Sequence, residues 1–283
     1  MAHNLLNDDA IVTELDISHL VTEDDTPVDN FQSEKQQRLL VEPLYSSWSP
    51  GIPFIAAANV GVFYALKQDP IVPDAMLSLG LEMPTDWSQK QNRSYFVWEF
   101  GKVPDVCIEI VSNREGDELA LSHKSQQKGK TLSKKDLYAR IGVPYYVVFD
   151  PLEQLQAPEE MDGSLLRTWA LREGRYHLLQ PPVWLEAVGL GLTLWEGEFE
   201  GVSGHWLRWC DAQGQVIWTG AEGQNAERQR AEAERQRAEA EHQRAEAERQ
   251  RAEAERQRAE AERQRADRLA ERLRAMGVDP DEV

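Results

Sequence analysis

The chain reads as an α/β (α+β) fold: a mixed central sheet flanked by helices, followed by a long, charged C-terminal α-helix. Three observations predict it. Several strand-like runs follow a first helical segment. A strand, a short capped helix and a second strand then succeed one another between residues 103 and 150. From Ala226 to Ala266 a seven-residue repeat, Ala-Glu-Arg-Gln-Arg-Ala-Glu, replaces the apolar patterning. The expected division is a flexible lead-in over 1–29, a folded domain over 30–221 and a repeat helix over 222–283.

Residues 1–29 read as polar and acidic, with a Glu23-Asp24-Asp25-Thr26-Pro27 cluster, and so as an extended or disordered lead-in. Ser33 is placed to cap a helix carrying Leu39, Leu40, Leu44 and Tyr45, ending before Pro50-Gly51. Gly61–Leu66, Ile71–Leu81, Tyr95–Phe100 and Val103–Ser112 read as strands between turn residues. Ser133-Lys134-Lys135-Asp136 is a capping signal, and Gly142 supplies the stop for the short helix it opens. The run Tyr145–Asp150 is nearly all apolar, which suits a strand covered on both faces. Strand, helix and strand make a βαβ crossover. Residues 165–180 read as a hairpin turning at Glu173-Gly174-Arg175, and the Trp-rich segment 184–218 adds short strands.

With 283 residues, 41% hydrophobic content and nine Trp, the chain has material for one sizeable core and an appendage. No apolar run approaches the roughly 20 residues needed to cross a bilayer, and the N-terminus lacks a basic-then-apolar signal pattern. A cytoplasmic protein is expected. Cys107 and Cys210 are too few for a disulfide framework or a Cys-based zinc site. Net charge is −18; residues 222–283 hold 17 acids and 14 Arg, so about −15 falls on the body. An acidic body opposes nonspecific binding to nucleic acid unless a local basic patch or divalent ions offset it.

In the repeat, Glu232 with Arg235 and Arg228 with Glu232 exemplify the charge pairs that support a solvated helix. The Ala residues fall five and two apart and so lie about 140° to 160° from one another around the axis, not on one stripe. The pattern predicts a solitary helix or a weak coiled coil, with Leu269, Leu273 and Met276 as its conventional anchor. A homo-oligomer or a protein partner through this helix is the corresponding expectation.

The chemistry points to Val103–Ser112. Glu109 stands between Ile108 and Ile110, where a charge needs compensation by a cation or partner. Asp74 begins another apolar run after Pro73, and Lys134 opens the next helix. If the strands are neighbours, two acids and an ammonium converge at one sheet end. Such a set holds Mg²⁺ (or Mn²⁺) through oxygen and stabilises charge at a phosphodiester. Each residue also has a plainer reading: Asp74 as a strand-starting or turn residue, Lys134 as a solvated first-turn lysine. Asp105 is four residues from Glu109, roughly 13 Å along a strand and too far to share an ion, so it reads as a strand-entry acid. Glu34 is a candidate for the site or for the helix dipole. No Gly-rich phosphate loop, His-x-x-x-His or Gly-x-Ser-x-Gly occurs, which leaves nucleotide hydrolysis, zinc hydrolysis and acyl transfer without support.

Taken together, Pro73-Asp74, Ile108-Glu109-Ile110-Val111-Ser112, Lys134 four before Tyr138, and Tyr138–Pro151 resemble the Uma restriction endonuclease family, a domain abundant in cyanobacteria and similar to the PD-(D/E)XK nucleases. The resemblance spans roughly residues 30–210 and implies a restriction-endonuclease-like fold acting on DNA. It matches Asp74 and Glu109 to metal-binding acids and Lys134 to a lysine carried on the next helix. In the broad superfamily pattern a Lys stands two residues after the second acid; here that place is Val111. The departure leaves a second expectation open: an inactive nuclease fold that works as an interaction or scaffold module through its C-terminal helix.

Overall fold

The computed structural model describes residues 16–20, 30–114, 116–121, 126, 129 and 131–276. The lead-in expected over 1–29 lies outside the described residues except at 16–20. The chain divides into two units, residues 1–220 and 221–283.

In the first unit, α1 (Phe31–Ser47) is capped by Asn30, whose side chain accepts from Ser33 N at 2.9 Å. The cap therefore falls three residues before the Ser33 expected from sequence. The Asn30 side-chain oxygen reaches the amide of the third helical residue, which draws Phe31 and Gln32 into the first turn.

The chain then lays down β1 (Phe54–Ala58), β2 (Val62–Phe63), β3 (Ala75–Leu79), β4 (Tyr95–Phe96), α2 (Val97–Phe100), β5 (Val106–Ile110), α3 (Lys134–Ile141) and β6 (Tyr145–Phe149). After these come β7 (Leu166–Arg172), β8 (Arg175–Leu179), β9 (Val183–Leu185), β10 (Leu190–Phe199) and β11 (Val202–Cys210). Six of these strands form the central sheet, in the order β1-β3-β5-β6-β7-β8. Only β5 and β6 run parallel in it, joined by the crossover through α3. The mixed sheet with flanking helices is the architecture the sequence predicts.

Three elements depart from expectation. Phe54-Ile55-Ala56-Ala57-Ala58 reads poorly as a strand because alanine favours helix, yet it pairs antiparallel with β3 along five residues. Ile71–Leu81 shortens to Ala75–Leu79, because Pro73 has no N–H to give a ladder. Tyr95–Phe100 is not one strand: two residues pair with β2, and the next four turn into a helix that Gly101 ends at φ 69°.

The sheet buries both faces. Leu77, Val106, Ile108, Ile110, Val147 and Phe149 pack with Leu40 and Leu44 of α1 and with the second sheet, β11-β10-β9. The α1 helix is bolted to that sheet by Gln36, which donates from Nε2 to Leu207 O at 2.8 Å and accepts from Leu207 N at 3.0 Å. On the opposite face, Met76, Cys107, Tyr146, Val148 and Trp169 pack with Tyr138 of α3. Glu109 belongs to this second face by the two-residue alternation.

The second unit is the helix α4, assigned over Gly220–Ala275, 56 residues of which none is buried. At 1.5 Å per residue it is about 84 Å long.

Candidate functional site

The site grows from the register of the sheet. Ala75 pairs with Ile108, Met76 with Cys107 and Leu77 with Val106. One further step places Asp74 opposite Glu109, and cross-strand partners project from the same face. Asp74 is no longer part of the ladder there. Its side chain instead accepts the Ile110 backbone N–H at 2.7 Å, filling the place a strand carbonyl would take. Its other oxygen accepts from Gln37 Nε2 at 2.9 Å, and Gln37 in turn accepts from Asn59 Nδ2 at 3.0 Å.

Glu109 is fully buried. Lys134 Nζ donates to its Oε2 at 2.6 Å, and the Tyr138 hydroxyl donates to its Oε1 at 2.8 Å. The helix that carries both donors is set by its own first turn. Ser133 Oγ accepts from Asp136 N at 3.1 Å and donates to Asp136 Oδ2 at 2.8 Å, the reciprocal cap the sequence signals. Lys134 N and Lys135 N donate to the carbonyls of Asp117 and Glu118, at 2.7 and 3.2 Å. Gly142, at φ 90°, takes the left-handed conformation that ends the helix and returns the chain to β6.

Electrostatically the pair is tightly bound. Burial pushes the Glu109 pKa up to about 8; Lys134 pulls against that, and the Asp74 carboxylate adds to it. Burial works to lower the Lys134 pKa, but the charge and hydrogen bond of Glu109, with Asp74 and Glu118, drive it above its ordinary range. The site retains a proton at neutral pH more readily than free side chains do, and an added cation would reverse that.

The structure thus brings Asp74, Glu109 and Lys134 to one place on one sheet face. It leaves Asp105 elsewhere: its Oδ2 accepts from Lys102 Nζ at 2.6 Å and from Leu79 N at 2.7 Å. Glu34 is also occupied away from the site, in an ion-pair network with Arg38 and Glu200. Val111, where the superfamily pattern has Lys, is fully buried in the apolar cluster under α3.

Two neighbours escaped the sequence reading. Gln37 left one signal, a polar residue three before Leu40 on the buried stripe of α1. Glu118 left none beyond its position in the polar stretch after β5. It is buried, its Oε2 has no hydrogen-bond partner among the described residues, and burial raises its pKa while Lys134 lowers it.

The donor set suits a hard divalent ion. The side chains of Asp74 and Glu109 offer only oxygen, and a carboxylate oxygen carries two acceptor lone pairs. No group of three or more His, Cys, Asp or Glu gathers into a metal cage among the described residues. Mg²⁺ fits such a place, since it binds through one or two carboxylates and completes its shell with water and substrate phosphates.

Residues 22–180, more than half of the chain, match the model of the Uma2 family, described as "Putative restriction endonuclease". The chain belongs to this family. Among solved structures it is similar to "a putative nuclease belonging to DUF820" from Anabaena variabilis ATCC 29413. The identity is 16% and the TM-score 0.35, over 56% of this chain and 73% of that one. No curated protein matches the chain. No described helix is long and apolar enough to cross a membrane.

Proposed function

We propose that this Uma2 protein is a metal-dependent DNA endonuclease that hydrolyses phosphodiester bonds, with its site in residues 30–221. The observation that carries the reading is the contact of Lys134 Nζ with Glu109 Oε2 at 2.6 Å, across the strand from Asp74. It restores in space the acid and lysine pairing that Val111 breaks in sequence.

Asp74 and Glu109 would hold Mg²⁺ or Mn²⁺, Asp74 oriented by Gln37 and the Ile110 amide, Glu109 by Tyr138. A bound ion supplies Lewis-acid polarisation of the phosphate and a more acidic water. Lys134 keeps its proton well past neutrality, so its ammonium donates to a phosphoryl oxygen as negative charge grows there. In the hydrolysis water oxygen bonds to phosphorus and gives up a proton to solvent, the ester P–O bond breaks, and the leaving oxygen takes a proton from solvent.

The test is cleavage of plasmid DNA and of a single-stranded DNA circle by the purified protein with Mg²⁺ or Mn²⁺, beside Glu109→Ala, and cutting of either form counts as activity. Cleavage by the wild type alone is expected; equal cleavage by both removes the assignment.

The net charge of −18 favours a second reading, an inactive nuclease fold serving as an interaction module through α4. It requires that Asp74→Ala be silent in the cell while truncation after Gly223 abolishes function. The endonuclease reading requires the reverse order of severity.

A further inference from the structure

A second concavity opens on the same sheet face as the acids. Ala57 pairs with Met76 across β1 and β3, and both line a cavity of about 340 Å³ together with Tyr95, Trp87, Asn92 and Ser94. That volume lies in the range of roughly 300–1,000 Å³ found for small-molecule sites. The floor is apolar, and the far wall is a preformed loop. Trp87 Nε1 donates to Pro84 O at 2.8 Å, Asn92 Nδ2 to Asp86 O at 2.7 Å and Arg93 Nε to Trp87 O at 2.9 Å. Trp87 is nonetheless 66% exposed, an indole held at the rim with nothing packed on most of it.

We infer that this cleft receives an unpaired nucleobase of the strand being cut, so that the substrate is single-stranded DNA, not fully paired duplex. The inference rests on the endonuclease reading and deepens it. Met76 is two residues from Asp74 on the same face, roughly 7 Å along the strand. That is the scale separating a phosphate from the base of its own or the next nucleotide. A phosphate at Asp74 and Glu109 thus leaves a base in reach of the cleft, while a base paired inside a duplex is turned toward its complement. Trp87 offers aromatic surface for stacking over a floor that includes the buried Tyr95 ring, and Asn92 offers a polar group for a base edge.

Charge points the same way. Duplex binding without base contacts draws its affinity from cationic side chains along the phosphates. A body near −15 weakens that source, and stacking on an aromatic side chain adds affinity that does not depend on base sequence.

The test measures affinity of the full chain, with Ca²⁺ present, for a fluorescein-labelled 12-nucleotide single strand, its blunt duplex, and single strands abasic at one position in turn. The expected result is at least ten-fold tighter binding to the single strand. One abasic position should cost the wild type roughly ten-fold and cost Trp87→Ala nothing further. Ala57→Phe, which fills the cleft from the opposite wall and leaves Trp87 in place, should lose the same preference. Duplex binding as tight as single-strand binding overturns the inference, as does single-strand affinity unchanged within two-fold in both variants. Single-strand cleavage that survives unchanged in both variants sinks the base site and keeps the endonuclease. A base preference in a wild type that cuts no DNA does the opposite.

Discussion

Lys134 and Tyr138 stand one turn apart on α3, and each donates to a different oxygen of Glu109. The carboxylate is therefore aimed by one helix face, which is itself fixed by the Ser133 cap and by the carbonyls of Asp117 and Glu118. Such support from regular structure holds reacting groups more tightly than loops can. Lys134 plays two parts in this frame, neutralising a buried acid and presenting an ammonium with 30% of its side chain exposed.

Those two parts separate in Lys134→Met. Loss of a donor to the developing charge slows phosphodiester cleavage by on the order of 10²–10³-fold. The same change removes a cation that competes for Glu109, so affinity for Mg²⁺ holds or rises. Calorimetric titration beside single-turnover cleavage reads both quantities. Mg²⁺ affinity that collapses together with cleavage would show that Lys134 only maintains the shape of the site.

The stability of the metal-free protein carries the signature of Glu109. Its pKa rises from 4.5 in the unfolded chain to about 8 in the folded one, chiefly through burial. Below about pH 4.5 the group is protonated in both states, and its full contribution to folding is present. As pH climbs toward 8 the unfolded form ionises first, and that contribution is lost. Glu109→Gln keeps the size and removes the titration. Its melting temperature should gain on the wild type by several degrees between pH 5 and 8 and hold a constant gap above. A gap that does not change across that window would mean Glu109 is ionised in the folded protein at pH 5.

Glu109 was legible because an acid flanked by Ile108 and Ile110 contradicts its surroundings, and a contradiction of that kind is local. Lys134 was legible through its spacing from Tyr138, which a helix converts into a shared face. The Asp74 and Glu109 pairing needed more, since register is a property of two strands, and only the apolar run after Pro73 hinted at it. Gln37 and Glu118 lay beyond reach because what makes them matter is distant. Gln37 acquires its role from an aspartate 37 positions away, and Glu118 from the backbone that docks it on α3. The strand β1 was missed for a related reason: the alanines of Phe54–Ala58 are held by β3 and not by their own propensity.

Gln37 therefore becomes a positioning residue whose effect is measurable. Its carboxamide is the donor that orients one Asp74 oxygen, and removing such an outer partner typically costs 10–100-fold in metal affinity. Gln37→Ala should weaken Mg²⁺ binding by that order while cleavage recovers at high Mg²⁺. Gln37→Asn, one methylene shorter, should behave like the alanine variant. Unchanged Mg²⁺ affinity in both would leave the Gln37 contact a packing detail.

The helix α4 makes a separate prediction, in which the sign of the salt effect decides between two structures. Its repeat leaves no apolar stripe, and Leu269 and Met276 near its end are 60% and 73% exposed. A solitary helix of this kind is held by strong helix formers and by many Glu and Arg pairs, each contributing about 0.3–0.5 kcal/mol. Salt screens such pairs, so raising NaCl from 0.1 to 1 M should lower the helical ellipticity of a peptide spanning residues 221–276. Dilution should leave that ellipticity unchanged, since nothing intermolecular supports it. A coiled coil inverts both responses. Its seam is apolar and gains from salt exclusion, and its helicity falls on dilution as strands part. If the peptide follows the second pattern, and Leu269→Ala with Leu273→Ala abolishes the concentration dependence, then α4 associates through its last turns and carries the Uma2 domain into an oligomer.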